Sequence, residues 1–174
     1  MSEFSSQFTS FLKNNQTVLD LGAGSGRQAL IMADRGCKVW AIDKNHGKVH
    51  HDLIFWEAIP IEKWLQKPAE TIFDAILMNN IIQFFTKTWV TDVLIPELIE
   101  RTSAQSIFGI RTFSQPPEPK FENSTVLSYW SNAELLALFP NWQCLYQKQE
   151  SVKSPDMKRV NRLFHTSSAI LLRK

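Results

Sequence analysis

The residues best placed to do chemistry lie in one stretch, Val18-Leu19-Asp20-Leu21-Gly22-Ala23-Gly24-Ser25-Gly26-Arg27, and in an acid about twenty positions further on, Asp43. An apolar, β-like run breaks into three glycines and then enters a helical pattern from Arg27 to Arg35, which reads as strand, tight turn, helix. Glycine has no Cβ, so such a turn at the carboxyl end of a first strand lets the backbone approach a ligand closely, and a nucleotide-like cofactor is the expected occupant. The spacing excludes the dinucleotide fingerprint. That pattern needs its third glycine five positions after the first, where this chain has Arg27. Asp43 closes the next apolar strand, where a carboxylate can accept hydrogen bonds from both hydroxyls of a ribose; a strand-end cap is its plainer reading.

Other residues with chemical potential are weaker. His46 and His50 are four apart and would chelate a metal on a helix, but Gly47 interrupts and no carboxylate or thiol completes the set, so a solvated loop is expected. His165 stands alone on a strand-like run and reads as structural. Glu57, at the end of a third strand, sits where an acid can accept the amino hydrogens of an adenine, or is an exposed turn acid. Most of the six tryptophans read as core, while Trp130, at the end of a long loop, could line a substrate pocket.

The elements that must position these residues follow from periodicity and punctuation. Phe4, Phe8, Phe11 and Leu12 suggest a short amphipathic helix, and Cys37 to Asp43 is a continuous apolar strand of the buried parallel kind. The third strand, Leu53 to Glu57, follows only about nine positions later, where a helical crossover needs a dozen or more. The helix between strands two and three is therefore expected to be missing. Pro60 to Gln66 reads as a short helix, Thr71 to Met78 as the fourth strand, Trp89 to Thr102 as a helical region restarted at Pro96, and Ser106 to Thr112 as the fifth strand. Ser114 to Tyr129 is a long polar loop with Pro116, Pro117 and Pro119. Ser131 and Glu134 form a capping-box pattern for a helix through Leu138, and Trp142 to Ser151 with Val160 to Leu172 forms a closing hairpin whose last strand runs antiparallel. The fold class is α/β, a doubly wound, Rossmann-like, mostly parallel seven-stranded sheet in one domain covering residues 1–174.

Composition narrows the class. With 174 residues and 44% hydrophobic content the chain can bury a core without staples. Cys37 and Cys144 lack metal-ligand spacing and read as buried free thiols, which suits a reducing cytoplasm. No apolar run approaches the ~18 residues of a membrane span, and the first ten residues lack the parts of a signal peptide. A formal charge of +2 with no strongly basic tract argues against a nucleic-acid partner.

The D-L-G-x-G-x-G-R pattern resembles motif I of class I S-adenosylmethionine-dependent methyltransferases. Together with Trp40-Ala41-Ile42-Asp43-Lys44-Asn45, Phe73-Asp74-Ala75-Ile76, Ile95-Pro96-Glu97-Leu98-Ile99 and the Ala169 to Lys174 ending, it is similar to the tellurite-resistance type, over nearly the whole chain. The resemblance implies S-adenosylmethionine as cofactor. Its methionine moiety would lie along Gly22, Ala23 and Gly24 with Asp20 and Gly26 in the same motif, Arg27 approaching the carboxylate. Asp43, followed by Lys44, would hold the ribose, Glu57 and Ala58 would meet the adenine, and Asn79 would offer its backbone carbonyl to the amine. Three features depart from the family: the lost helix after Asp43, Ser103-Ala104-Gln105 in place of a Gly-Gly turn, and a different polar set in the loop before the last strand.

Methyl transfer to a small acceptor by in-line displacement is the expected activity. A binding module without turnover, serving regulation or scaffolding, is the alternative. Methylation of a macromolecule is less expected, because no strong charge patch is present. Topology brings the closing hairpin's tip, with Lys153, Lys158, Arg159 and Arg162, to the same sheet edge as the glycine turn, and Arg111 ends the fifth strand there. Five cations against Asp156 favour an anionic acceptor gripped by Arg111, Arg159 or Arg162. The missing helix should also leave an apolar patch, covered either by the N-terminal helix or by a second copy in a homodimer.

Overall fold

The computed structural model describes residues 2–115, 125–153 and 164–174, with side chains for residues 2–115, 125–150 and 166–174. The strands are β1 (Thr17–Leu21), β2 (Lys38–Asp43), β3 (Ile54–Ala58), β4 (Phe73–Asn79), β5 (Thr102–Phe113), β6 (Gln143–Lys153) and β7 (Phe164–Arg173). They form one sheet in the order β3-β2-β1-β4-β5-β7-β6. Neighbours from β3 to β5 pair in parallel, and β7 pairs antiparallel with both β5 and β6. The expected seven-stranded sheet with a reversed last strand is therefore present. The order switches direction at β1, so the carboxyl ends of β1 and β4 frame the crevice in which such sheets bind ligands.

Strand alternation divides the core into two layers. Val18, Val39, Ala41, Ala75, Leu77, Ile107 and Leu171 face helices α1 (Glu3–Ser10) and α2 (Arg27–Ala33). Leu19, Ile42, Ile76, Met78, Phe108, Ile110 and Ile170 face α3 (Ile61–Trp64), α5 (Ile95–Glu100) and α6 (Asn132–Ala137). Between Phe85 and α5 the chain winds through α4 (Lys87–Trp89) and a π-helical turn, Val90–Leu94, before Pro96 enters the first turn of α5. Pro96 has no N–H to donate, so the wider turn ahead of it accommodates the break that the sequence signals.

The N-terminal helix packs Phe4 and Phe8 into the first layer, and the Phe8 ring lies so close to Gly109 that a Cβ there would fall 2.6 Å from it. An Arg35 to Thr9 carbonyl bond of 2.9 Å and a Lys148–Glu3 pair of 2.6 Å hold the helix to the turn after α2 and to β6. No helix forms between β2 and β3. The expected apolar patch there is closed locally instead: residues 44–53 fold back over Trp56, while α1 covers the sheet further along. Cys37 is buried as expected, but Cys144 is exposed, because β6 is an edge strand with solvent beside it.

Ser131 and Glu134 close the capping box on α6: Ser131 Oγ accepts from the Glu134 N–H, and Glu134 accepts from the Ser131 N–H. The Lys87 ammonium beside Glu134, with that backbone donor, holds its carboxyl down to about 2. Removing the cap hydroxyl leaves a helix N–H without its partner, so Ser131→Ala is expected to lower stability by about 1 kcal/mol in chemical denaturation.

Candidate functional site

Three glycines of the turn after β1 adopt positive φ: Gly22 at 76°, Gly24 at 56° and Gly26 at 85°. Gly26 is the left-handed N-cap of α2, and a Cβ on it would strike Val49 and Trp56 at 2.5 and 2.6 Å. Gly24 is different. Nothing lies within 4 Å of where its Cβ would be, so this point of the turn opens to a ligand. Asp43, at the end of β2, accepts from the Gly24 N–H at 2.9 Å and from the Asn45 N–H at 3.0 Å, which fixes both carboxylate oxygens beside the turn. Arg27 and Lys44 are exposed at the same edge, with Ala23 between the first two glycines.

Beneath the turn lies Asp20, only 2% exposed. Burial pushes its carboxyl up to about 7, against a hydrogen bond from the Ala29 N–H and with the nearby Asp43 charge adding to the rise. Its Oδ2 is buried with no hydrogen-bond partner among the described residues, and so are Oδ1 of Asn79 and Nε of Arg111. The three sit on β1, β4 and β5, on the face that carries Val18, Leu77 and Gly109, and Asn79 and Arg111 are direct cross-strand partners. A buried polar atom without a partner costs about 1 to 3 kcal/mol. A row of them at one sheet edge calls for a polar ligand, with an ammonium suited to Asp20 and Asn79 and an anion suited to Arg111.

Arg111 is 12% exposed, and its guanidinium pairs with Glu150 at 3.6 Å. Glu150 in turn meets Lys148 at 3.0 Å, which holds Glu3 of α1. Lys158, Arg159, Arg162 and Asp156 lie outside the described residues, as do Pro116, Pro117, Pro119 and the side chains of Lys153 and His165. The ends of β6 and β7 do reach the edge that Arg111 occupies, since Phe113 pairs with Ser167 and Lys153 with Phe164.

Two expected residues are not brought to this group. Glu57 shares its face with Phe55 and pairs with Lys67, lining a cleft of about 250 Å³ on the opposite side of the sheet with Trp40, Trp64, Phe73 and Arg101. Exposed Ala58 remains at the strand's end beside Asp43, its cross-strand partner. Trp130 is buried in the core: it is 2% exposed, its indole N–H donates to Ser128 Oγ at 2.8 Å, and it packs in the second core layer. Among the described residues no group of three or more His, Cys, Asp or Glu could hold a metal ion, and the His46 to His51 stretch is a loop. Sequence reasoning missed Trp56 and Glu150. Alternation along β3, which puts Trp56 on the face of Asp43, was the signal for the first; the second needed the hairpin register.

No protein-family model and no curated protein matches the sequence. Solved structures do match the fold. TehB from Haemophilus influenzae superposes with a TM-score of 0.80 at 17% identity, over 100% of this chain and 62% of TehB. The 1,6-didemethyltoxoflavin-N1-methyltransferase of Burkholderia thailandensis, solved with 1,6-didemethyltoxoflavin and S-adenosylhomocysteine, gives 0.74 at 19% identity, over 98% and 76% of the two chains. A S-adenosylmethionine-dependent methyltransferase from Methanosarcina mazei gives 0.73 at 14% identity, over 97% and 96%.

Proposed function

From a chain that has the fold of class I S-adenosylmethionine-dependent methyltransferases, we propose a working enzyme of that kind, which methylates a small anionic acceptor. The observation that carries the reading is the row of buried polar atoms on Asp20, Asn79 and Arg111, without a partner among the described residues, beside an open glycine turn. The residues fit the cofactor's groups. Asp20 and Asn79 receive its ammonium, Gly24 leaves room for its backbone approach, Asp43 takes the ribose hydroxyls, and Ala58 borders the adenine. When bound, the cofactor supplies a sulfonium methyl, already a strong electrophile.

The protein's task is then positioning. Arg111 anchors the acceptor's negative group and orients its nucleophilic atom for in-line attack. Where the acceptor's anionic oxygen is itself the nucleophile, methylation removes no proton, and no general base is assigned. Incubating the protein with methyl-labelled S-adenosylmethionine and a panel of small oxyanions and carboxylates is expected to label one of them. A protein that binds S-adenosylhomocysteine yet labels none would instead be the regulatory or scaffolding module.

Lysine keeps the charge of Arg111 but loses its fork. Arg111→Lys is therefore expected to raise the acceptor KM about tenfold, roughly 1.4 kcal/mol, with unchanged affinity for S-adenosylhomocysteine. Steady-state kinetics reads both, and a neutral acceptor, or an Arg111→Ala variant with full turnover, contradicts the assignment.

A further inference from the structure

The loop that replaces the helix between β2 and β3 is built around one side chain. The Trp56 ring fills the space under Gly26, where a Cβ would lie 2.6 Å from it, and under Gly47, where a Cβ would lie 2.0 Å from it. Its indole N–H donates to the Val49 carbonyl at 3.2 Å, and the His46 ring lies against it with centroids 5.2 Å apart. The loop so gathered is joined to the glycine turn by a Lys48 N–H to Ser25 carbonyl bond of 3.3 Å. Asp43 stands at the root of this loop, with one carboxylate oxygen on Asn45 of the loop and the other on Gly24 of the turn.

Trp56 thus touches both segments whose relative position sets Asp43. Pairing with β1 and β3 holds the end of β2 itself, and in place of a crossover helix a single indole wedged between two glycines gathers the loop that follows it. Only glycine admits the ring at either place. A Cβ at position 26 or 47 would occupy the volume of the ring itself. The Gly22 and Ala23 N–H groups donate to the Ile42 carbonyl at 2.8 and 3.1 Å and tie the start of the turn to β2, but residues 44–49 meet the outer turn through the Trp56 ring, the Val49 side chain at Gly26, the Lys48 to Ser25 bond and the Asp43 carboxylate that both segments share.

We propose that Trp56 is the positioning residue of the ribose subsite, clamping residues 44–49 onto the glycine turn so that Asp43 is presented to the cofactor. The inference rests on the methyltransferase reading. It concerns affinity for the cofactor and leaves the acceptor's seat, several strands away at Arg111, untouched.

Calorimetric titration with S-adenosylhomocysteine, alongside thermal unfolding, tests it. Trp56→Ala is expected to weaken binding at least tenfold, and Trp56→Phe, which keeps a ring in the wedge, to stay within about threefold of the wild type. Gly47→Ala alters an exposed loop without removing core, and is expected to weaken binding in the same direction by displacing the ring. Trp64→Ala is the control: Trp64 is buried on the opposite face, so it should lower the melting temperature without a comparable loss of affinity. Wild-type affinity in both Trp56→Ala and Gly47→Ala, or an equal loss in Trp64→Ala, overturns the proposal. A wild-type protein that binds no S-adenosylhomocysteine overturns the cofactor reading itself, and this inference with it.

Discussion

Replacing Asp43 with alanine is expected to weaken S-adenosylhomocysteine binding by about ten- to a hundredfold, about 1 to 3 kcal/mol. Two losses combine in that figure. The hydrogen bonds to two ribose hydroxyls disappear, and the Gly24 and Asn45 N–H groups lose the carboxylate that braces them. Asp43→Asn keeps the shape but offers one oxygen in place of two, so an intermediate loss should be seen. Equal binding by wild type and Asp43→Ala would remove Asp43 from the site.

The second large effect is a pH dependence of stability centred on Asp20. Its carboxyl titrates near 7 in the folded protein because burial disfavours the charged form, whereas in the unfolded chain it titrates near 4. Between those values the folded state holds a proton that the unfolded state has released, so stability falls as pH rises from about 4 to about 7, by up to about 1.4 kcal/mol per pH unit from this group. Above 7 the full penalty of a buried carboxylate is present. Asp20→Asn cannot ionise, and it is expected to gain on the wild type as pH rises from 5 to 8 in urea unfolding. A difference between the two proteins that stays constant across that range would contradict the buried position of the charge. The same group links to function: an ammonium at the unpartnered Oδ2 favours the ionised form, so binding near pH 6 should release a proton.

Local signals in the sequence carried much of this architecture. The three glycines, the strand ahead of them and the helix behind them needed no tertiary information, and neither did the short β2 to β3 connection, the capping box or the restart at Pro96. Most strand ends moved by a residue or two, but β5 begins four residues earlier than expected, at Thr102, because the chain pairs with Phe73 before a bulge. What depended on long-range pairing was harder to read. Glu57 looked like a cofactor acid because it ends a strand, yet the face it occupies faces Lys67. Arg111 was legible as an edge cation, whereas its partner Glu150 was not, since a register shift at Cys144 and Tyr146 changes which β6 residues stand opposite β7. Trp130 follows a long polar loop and so reads as accessible, but its backbone N–H donates to the Phe113 carbonyl, its indole N–H donates to Ser128, and the ring packs inside. Trp56 was one tryptophan among six until the structure put it between two glycines.

The central claim is a cofactor seat built from the glycine turn and Asp43, and calorimetry with S-adenosylhomocysteine tests it most directly. The account predicts one binding event per chain with a dissociation constant on the order of micromolar, and no heat with NAD at the same concentrations. Absence of binding, or preference for NAD, would contradict it.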